Sequence, residues 1–431
     1  MIILIYLYYI ILPFSISLAY VFSYLYFILN RKFFIPKDFF FIIILYIWRL
    51  ISLIYNVLSI TPIKEIFDKF VYVIFSNVKL GDKIINSLLF SMLFSNLVIF
   101  LFGIYDFLFP TFWQKFYYIK TNHFELLLNK KEKILIRNTN NYPIEIYINN
   151  EKVLIPAQFL SSLKLENGYY KITSKDSFFI HTKNKISNEF IYLKNFWNEV
   201  NNFIGPFGHK LVASGFLSII TILFFCAYLY FRRIFLIGFI ISFLSLVLTF
   251  SKSYIPITTF ILFLIYFLKK KNFIGIFLSI FIFLIFSIFI LTYFEKTSIL
   301  RLNFYKAGIE IFYKSPIFGI GYNHVSDYLE NYMKLGLIDN AFHTHNIYTD
   351  ALSETGIIGF IIFLITYFYF AIKFLFKGYK EKNFISISAG WIIVMILITG
   401  FFEKNLDRAI IDLLIFSIMG LARAKKPPNW Q

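Results

Sequence analysis

Cysteine is nearly absent from this chain of 431 residues, since Cys226 is the only one and lies inside an apolar run. A single thiol can form no disulfide within the chain, and a cysteine-based metal site is excluded as well. Charged residues make up only 15% of the sequence, whereas hydrophobic residues make up 59% and the mean hydropathy is +0.70. A soluble domain of this length could not bury so much apolar surface, so the composition indicates a membrane protein.

Acidic residues are also scarce. There are 24 of them against 42 Lys and Arg residues, which gives a formal net charge of +18. Part of this excess is the positive charge that the cytoplasmic loops of membrane proteins carry. It also suits an anionic substrate such as a lipid-linked diphosphate. A nucleic-acid partner is not expected for a chain this apolar.

Apolar runs of about 18 or more residues recur, and each can cross the hydrocarbon core as a helix. We therefore predict an all-α polytopic membrane protein with about 10–12 transmembrane helices and one small β-rich extracytoplasmic insert. The first run is too long for a signal-peptide core and is expected to stay as an anchor. Residues 66–80 are interrupted by charge, so they form either an interfacial helix or a short crossing. The spans are placed at residues 2–29, 39–60, 84–109, 211–231, 234–250, 254–268, 272–294, 355–375, 384–401 and 409–422.

The basic residues of the second half set the predicted orientation. If the spans alternate, the clusters at residues 232–233, 269–271, 373–382 and 425–426 fall on one side, which should be cytoplasmic. The lysine-rich residues 31–37 fall on the other side under this count, against the rule. All six histidines lie in the two long outward segments, in agreement with the cost of placing histidine in lipid. These are His123, His181, His209, His324, His343 and His345.

Five segments follow from this count. They are N-terminal transmembrane helices (1–110), the extracytoplasmic β-rich insert (111–210), central transmembrane helices (211–294), an extracytoplasmic catalytic loop (295–354), and C-terminal transmembrane helices with a short cytoplasmic tail (355–431). Within the insert, residues 144–155 predict a hairpin that turns at Asn149-Asn150. Two more short strands are predicted at residues 169–173 and 177–182, and residues 133–137 alternate weakly. The insert is either a structural, protective element or a surface that recognises an acceptor or partner.

The longest polar stretch of the second half contains His343-Thr344-His345-Asn346, directly before a predicted helix. Asn346, Asp350 and Glu354 follow at intervals of four and should share one face of that helix. A neutral imidazole at this place could take a proton from a hydroxyl group or orient an anionic group. Two histidines could also bind a metal, although the spacing matches no strong zinc pattern, and the stretch could be a plain polar loop.

Other polar residues are candidates for substrate binding. Gly319 and Gly321, in S-P-I-F-G-I-G-Y, permit a tight turn or a close approach of backbone to a ligand. Arg301 could clamp a phosphate with its planar guanidinium, or anchor the end of a span. Lys252 lies in a short outward turn, where it could meet a diphosphate or simply reach the interface.

Two further basic residues, Arg49 and His209, are candidates with a weaker sequence signal. Arg49 lies inside a predicted span, where a charge is costly and indicates a function or an internal partner. His209, in F-G-H-K before the fourth span, could add a cation to the outer surface or be an ordinary loop residue. The last outward loop, with Glu403, could be only a solvated turn.

These residues form an ordered pattern along the chain. It consists of the Ser251-Lys252-Ser253 turn, the outward Arg301, P-x-x-G-x-G from Pro316, and H-N-x-Y-x-x-x-x-x-E-x-G-x-x-G from His345. The pattern resembles the O-antigen ligase and O-antigen polymerase family, which also includes bacterial protein O-oligosaccharyltransferases. The resemblance is clear over residues 210–420 and weaker over the first three spans.

The resemblance implies a metal-independent, inverting glycosyltransferase of the bacterial inner membrane that needs no cofactor. Such an enzyme moves a glycan from undecaprenyl diphosphate to an acceptor hydroxyl at the outer face. By position, His345 is similar to the family's base or acceptor activator, and Arg301 and Lys252 to the cations that meet the diphosphate. Arg49 is similar to an arginine of an early span. The family usually has arginine where Lys252 stands, and lysine keeps the charge without the planar fork.

Several functions stay open at this point. A ligase that uses lipid A-core as acceptor is the leading interpretation, and a polymerase or a protein glycosyltransferase of the same family is the alternative. A lipid-linked glycan transporter is the alternative from another class, but transporters place their charges near the midplane rather than in outward loops. A surface-anchored binding protein would depend on the insert, so deletion of residues 115–198 would remove its function.

Overall fold

A computed structural model describes the protein over residues 2–30, 34–53, 61–108, 115–119, 123–128, 132–138, 143–156, 160–166, 168–175, 178–181, 192–195, 205–207, 210–293, 295–334, 337–338, 343–404, 406 and 408–424. Two compact units make up the chain. The helical unit comprises Met1–Ile104, Phe203–Tyr328 and Phe342–Gln431, and the strand unit comprises Tyr105–Asn202 and Leu329–Ala341.

Fourteen α-helices lie in the part of the chain that the structure describes. They are α1 (Ile2–Ile11), α2 (Ile16–Leu29), α3 (Phe39–Ser52), α4 (Thr61–Ser76), α5 (Asp82–Leu108), α6 (Lys210–Tyr230), α7 (Leu236–Leu248), α8 (Tyr254–Lys270), α9 (Phe273–Tyr293), α10 (Glu295–Lys314), α11 (Val325–Lys334), α12 (Ile347–Glu381), α13 (Phe384–Thr399) and α14 (Ala409–Arg423). Short 3₁₀ turns precede α6 and α7, at Gly205–Phe207 and Arg233–Phe235.

The centre of the helical unit is formed by α6, α13 and α14, whose apolar side chains are buried on nearly every face. In contrast, α9 and the middle of α12 expose large apolar side chains such as Phe273, Phe277, Ile372 and Phe376. A helix that is apolar on an exposed face needs lipid or another protein to cover it. This distribution fits a bundle whose outer helices face hydrocarbon.

Three of the described helical segments are long and apolar enough to cross a membrane by themselves: Asp82–Ile104, Leu211–Tyr230 and Ile347–Glu381. Six shorter apolar helices accompany them: Ile2–Ile11, Ile16–Leu29, Phe39–Ser52, Arg233–Leu248, Phe273–Ile285 and Phe384–Thr399. The prediction of a mainly helical chain with apolar helices that could span a membrane is therefore confirmed.

The N-terminal apolar run is not one span. Residues 2–29 form two helices, α1 and α2, which are separated by a turn and pack against each other. Pro13 lies in that turn and has no N–H for a helical hydrogen bond. Ser15 then caps α2, because its hydroxyl accepts a hydrogen bond from Leu18 N at 3.3 Å.

This break also corrects the predicted position of residues 31–37, of which the structure describes 34–37. Asp38, the next residue, forms ion pairs with Lys373 and with Arg423, the latter at 3.5 Å. Residues 34–38 therefore lie at the same end of the helical unit as the basic cluster of α12. The apparent conflict with the positive-inside pattern therefore came from the predicted count of spans in the N-terminal region.

Residues 66–80, left between two interpretations, lie mostly in α4, which is an interior helix. Val71, Tyr72, Val73, Ile74 and Phe75 are all buried. The charges that interrupt its sequence are paired inside the bundle. Lys69 Nζ lies 2.6 Å from Asp412 Oδ2 of α14, and both side chains are almost fully buried. A buried pair of this kind removes two isolated charges that would otherwise be costly in an apolar interior.

The strand unit contains nine described strands: β1 (Lys115–Ile119), β2 (His123–Leu128), β3 (Glu132–Arg137), β4 (Ile144–Ile148), β5 (Glu151–Ile155), β6 (Leu160–Leu165), β7 (Gly168–Ser174), β8 (Phe178–His181) and β9 (Tyr192–Asn195). They form two antiparallel sheets with the orders β6-β3-β8-β1-β9 and β2-β7-β4-β5. Isoleucines from both sheets, including Ile134, Ile146, Ile172 and Ile180, share one core.

The predicted hairpin is confirmed. Strands β4 and β5 pair from Ile144↔Ile155 to Ile148↔Glu151. Asn149 and Asn150 form the turn between them with positive φ angles of 49° and 72°, as a two-residue hairpin of this type requires. Strands β1, β2, β6 and β9 were not predicted, and β1 and β9 pair with each other across a separation of about 75 residues along the chain. Extracytoplasmic placement of this unit stays a prediction.

Candidate active site

The predicted histidine motif lies at the start of α12, and Asn346 is the N-cap of that helix. Its side-chain oxygen accepts hydrogen bonds from the backbone N–H groups of Tyr348, at 2.8 Å, and Thr349, at 3.2 Å. Its amide nitrogen donates to the Phe401 carbonyl at 3.3 Å. Asn346 was predicted to bind substrate, but its side chain is buried and serves to begin the helix.

His345 adopts a left-handed backbone conformation, with φ of +56°. This conformation is uncommon for residues other than glycine, so the surrounding contacts must hold it. The His345 N–H donates to Nδ1 of His343 at 3.1 Å, and the two imidazole rings meet edge to face at 4.4 Å. On the other side the ring packs edge to face against Phe304 of α10, at 4.9 Å.

His343 is electrically neutral in this arrangement. Burial lowers its pKa most, and the charges of His345, Lys404 and Arg408 lower it further, to about 2. A histidine with such a pKa is not a cation that could attract a diphosphate near neutral pH. Its described contact is instead the hydrogen bond that holds the His345 backbone.

The carboxylate of Glu403, in the loop between α13 and α14, lies between the two principal candidates. Oε1 accepts from Nη2 of Arg301 at 2.7 Å, and Oε2 lies 3.5 Å from Nδ1 of His345. The second distance exceeds that of an ordinary hydrogen bond. Burial raises the pKa of Glu403, but His345 and Arg301 together outweigh burial and lower the pKa to about 2. Glu403 is therefore a buried anion over the physiological range.

Arg301, on α10, is held by residues 400–404, which follow α13 and are called the 400–404 segment below. Its guanidinium donates to the Phe402 carbonyl as well as to Glu403. About a third of its side chain is exposed, so the guanidinium also borders solvent. Burial alone would lower the pKa of Arg301, but Glu403 raises it, so the cation is secure.

Lys252 lies in the turn between α7 and α8, and its ammonium group is close enough to Arg301 for their charges to interact. Burial lowers the pKa of Lys252, and the positive charge of Arg301 lowers it further. Two cations that repel each other at one place form a natural site for an anion. The structure thus brings His345, Arg301 and Lys252 to one region, together with Glu403, which sequence reasoning treated as part of a solvated turn.

A second set of charges fixes the 400–404 segment on α12. Lys404 Nζ lies 3.2 Å from Oε1 of Glu354 and 3.4 Å from Oδ2 of Asp350. Asp350 in turn accepts hydrogen bonds from the N–H and hydroxyl groups of Thr344, at 2.9 and 2.8 Å. Glu354 was predicted to bind substrate, but it is buried and paired with Lys404. The three polar residues predicted on this helix face, Asn346, Asp350 and Glu354, thus all have contacts within the protein.

Gly319 and Gly321 lie against a kink in α12 rather than in a described ligand pocket. The kink is at Gly356, which has φ of +66° and ψ of −174°. There the carbonyls of Ser353 and Glu354 accept from the N–H groups of Ile320, at 2.9 Å, and Gly321, at 3.1 Å. The Ile357 N–H donates to the Pro316 carbonyl at 2.8 Å.

This contact needs glycine at two positions, Gly319 in the loop and Gly356 at the kink. A side-chain carbon at Gly319 would overlap the backbone of Glu354, and one at Gly356 would overlap the Ile317 carbonyl. Both positions also have positive φ angles. The motifs P-x-x-G-x-G and E-x-G therefore form one backbone-to-backbone joint. We call residues 316–322 the kink loop.

Arg49, at the buried end of α3, has internal partners. Its Nη1 lies 3.1 Å from Oε2 of Glu65 on α4 and 3.2 Å from the hydroxyl of Tyr322 in the kink loop. Its guanidinium also lies over the rings of Tyr46 and Tyr322, at 4.6 and 4.3 Å. The partner that the sequence left open is thus Glu65. His209, the remaining candidate, lies outside the described residues.

An apolar groove runs along the outside of α12 and α13 and begins at the site. It has a volume of about 730 Å³, and its walls include Phe360, Leu364, Phe368, Val394 and Ile398. Tyr348 and Phe401 line the end of the groove nearest the start of α12, which we call its upper end. The Phe401 carbonyl accepts the hydrogen bond from Asn346, and the next carbonyl holds Arg301, so this end of the groove adjoins the charged cluster.

A smaller apolar groove of about 520 Å³ shares Ile372 and Leu375 with the first and ends at Tyr379 and Lys380. From Phe360 to Lys380, α12 rises about 30 Å, which is the thickness of a bilayer's hydrocarbon core. The two grooves together therefore follow α12 from the charged cluster to the opposite end of the helical unit. Sequence periodicity did not indicate them, because the gap between two helices depends on how they pack.

Comparison with known proteins gives one family match. Residues 209–364 match the family model described as O-antigen ligase. No curated protein matches the chain. The matched segment contains Lys252, Arg301, His343 and His345, whereas Arg49 and Glu403 lie outside it. The family resemblance found in the motifs is thus confirmed: residues 209–364 of this chain match the O-antigen ligase family, which supports an O-antigen ligase-like membrane enzyme.

Proposed function

We propose that this protein transfers a glycan from undecaprenyl diphosphate to an acceptor hydroxyl group, with lipid A-core as the acceptor, at the outer face of the bacterial inner membrane. The observation that best supports this proposal is the position of Glu403 between Arg301 and His345. One buried carboxylate orients a base and a cation together, which is what a displacement with an anionic leaving group requires.

His345 is the base in this proposal. Its Nδ1 lies 3.5 Å from Oε2 of Glu403, and we assign Nε2 as the nitrogen that takes the acceptor's proton. The acceptor oxygen attacks the anomeric carbon while its proton passes to Nε2, a new carbon–oxygen bond forms, and the bond to the diphosphate oxygen breaks. The leaving diphosphate keeps the electron pair. A single displacement of this kind inverts the anomeric configuration.

Arg301 and Lys252 stabilise the leaving group. Negative charge develops on the bridging oxygen as the bond breaks, and two fixed cations need no reorganisation to meet it. Arg301 and Lys252 carry two positive charges and Glu403 carries one negative charge, so these three groups together have a net charge of +1. A diphosphate that leaves with such support needs no general acid, so one base and two cations suffice and the reaction proceeds without a metal.

The groove along α12 and α13 supports a lipid-linked donor. Its upper end adjoins the 400–404 segment that holds Arg301, and its walls are apolar. A diphosphate at the cations would place its polyprenyl chain at the mouth of this groove. A soluble sugar nucleotide would have no use for such a surface.

The test is transfer in vitro with purified protein, an undecaprenyl-diphosphate glycan and lipid A-core, comparing wild type with His345→Ala and with His324→Ala as the control. His324 pairs with exposed Asp327 at 2.9 Å in the same sequence region. Transfer by wild type and by the control, with none by His345→Ala, supports the ligase.

Other outcomes select the alternatives. Longer lipid-linked chains as the product would identify a polymerase, and glycan on Ser or Thr of a protein would identify a protein O-oligosaccharyltransferase. Movement of lipid-linked glycan across vesicles that His345→Ala leaves intact, without donor consumption, would identify a transporter.

A further inference from the structure

Two consecutive residues of α3, Trp48 and Arg49, hold the kink loop and the kink of α12 from one side. Trp48 Nε1 donates to the Thr355 carbonyl at 2.8 Å, and the indole stacks on Phe318 with an interplanar angle of 15°. Arg49 reaches the other end of the same loop, where it contacts the Tyr322 hydroxyl at 3.2 Å. Helix α3 of the N-terminal region therefore contacts both the kink loop and the kink of α12, which lie within the segment that matches the family model.

Beside the kink, three successive carbonyls of α12 accept hydrogen bonds from groups outside the helix. The carbonyls of Ser353 and Glu354 accept from N–H groups of the kink loop, and the Thr355 carbonyl accepts from the Trp48 indole. A buried carbonyl that loses its donor pays the cost of desolvation, so the indole N–H helps to select this kinked form. A straight α12 would instead use those carbonyls within the helix.

The direction of the first turns of α12 determines where His345 lies. Asn346 caps these turns, and Ile347 N–H donates to the Gly400 carbonyl at 2.9 Å, so the turns are fixed to the 400–404 segment as well. The kink at Gly356 is the point where this short arm joins the long apolar part of the helix. A change of angle at the kink would therefore strain the contacts that hold His345 beside Glu403 and Arg301.

The contacts of Arg49 suit a clamp better than a substrate site. Its guanidinium is bound by Glu65 and by Tyr322, whose hydroxyl itself donates to Glu65 Oε2 at 2.6 Å. The two aromatic rings of Tyr46 and Tyr322 cover it. Only 6% of the Arg49 side chain is exposed.

We propose that Trp48 and Arg49 are positioning residues, which set the kink of α12 and through it the placement of His345, without contacting the substrate. This inference rests on the proposed glycan transfer for its kinetic consequence, but the structural part stands without it. It also assigns Arg49, an expected substrate-binding residue, a different task.

Two conservative substitutions test the clamp. Trp48→Phe keeps an aromatic ring against Phe318 and removes the indole N–H. Tyr322→Phe keeps the ring over Arg49 and removes the bridging hydroxyl. Each should lower kcat about tenfold with KM for the lipid-linked donor unchanged, because small displacements of a catalytic base are costly while binding groups stay in place.

Trp391→Phe is the matched control. The Trp391 indole also donates one hydrogen bond, to the Tyr379 hydroxyl at 3.0 Å, but at the far end of α12. This variant should keep the wild-type kcat. An equal fall of kcat in the control, or a rise of KM with unchanged kcat in Trp48→Phe, would overturn the proposal.

Hydrogen–deuterium exchange gives a readout that does not need activity. Trp48→Phe should speed amide exchange over residues 343–357 and leave α13 unchanged, whereas Trp391→Phe should leave residues 343–357 at the wild-type rate. If wild type transfers no glycan but this difference is found, the proposed function fails and the clamp stands. If exchange over residues 343–357 is the same in all three proteins, the clamp is refuted whatever the activity.

Discussion

Nη2 of Arg301 lies 2.7 Å from Oε1 of Glu403, although the two residues are 102 positions apart in the chain. The other oxygen of the same carboxylate faces His345. A cation, an anion and an imidazole in this order form a unit in which the central group decides the orientation of both others. Glu403 is therefore the residue whose change should disturb the site most without removing a reactive group.

Glu403→Gln tests this directly. The amide keeps the size of the carboxylate but removes the charge that orients His345 and restrains Arg301. We expect kcat for glycan transfer to fall about a hundredfold, because the base is no longer held in its reactive orientation. Donor binding, measured by tryptophan fluorescence or calorimetry, should change little. Glu381→Gln, at the opposite end of α12 and exposed, is the control and should behave as wild type. Full activity of Glu403→Gln would rule out the orienting role.

The backbone joint between the kink loop and α12 should tolerate no side chain. Gly319→Ala and Gly356→Ala each introduce a carbon that overlaps backbone, at a positive φ angle. We expect each to destabilise the protein by about 3 kcal/mol or more, seen as loss of folded protein after solubilisation. Gly81→Ala is the matched control, because no atom lies within 4 Å of its added carbon. Normal yield and thermal stability of both variants would contradict the joint.

The groove predicts a dependence on the length of the donor's lipid. Val394→Trp places a large ring in the groove. Because each buried methylene contributes about 0.8 kcal/mol, displacement of only two should raise KM for an undecaprenyl donor about tenfold. KM for a donor with a short isoprenoid should not change. Ile282→Trp, on the exposed face of α9, is the control. If both donors lose affinity equally in Val394→Trp, the groove does not hold the chain.

The neutral state of His343 predicts a pH dependence of stability. Its folded-state pKa is about 2 against an ordinary value of 6.5, so between these values the unfolded chain binds more protons than the folded one. Stability therefore rises with pH in that window, and acidification below about 6.5 destabilises the protein. The Tm in detergent should fall between about pH 7.5 and about pH 5, and the fall should be smaller in His343→Gln. His324→Gln should keep the wild-type slope, and an unchanged slope in His343→Gln would show that another group is responsible.

Much of the architecture follows from local sequence. Long apolar runs predict helices because each backbone group must be satisfied within the segment when lipid surrounds it. The hairpin at Asn149-Asn150 was predicted correctly because two asparagines accept positive φ angles and the flanking strands alternate. The N-terminal run was mispredicted as one span, since Pro13 and Ser15 mark a break that average hydropathy does not register.

The candidate site was less predictable, because its members come together only in the folded chain. The order of Lys252, Arg301 and the His345 motif carries the family signal, and that signal was sufficient to select the region. Glu403 gave no such signal, since a carboxylate in a short polar loop is common. Substrate contact by Glu354, Asn346 and Gly319 stays a prediction. The structure adds partners within the protein that the sequence did not indicate: Lys404, the start of α12 and the kink.

The sequence by itself determined that this is a mainly helical chain with apolar helices and a strand-rich insert, and the order of its motifs carried the family resemblance. Composition and periodicity act locally, so they decide which segments become helices and which residue types are present. The tertiary structure alone decided that Glu403 joins Arg301 to His345, that two glycine motifs form one joint, and that Trp48 and Arg49 hold it. Each of these depends on a hydrogen bond or an overlap between segments far apart in the chain, and such contacts exist only after the helices have packed.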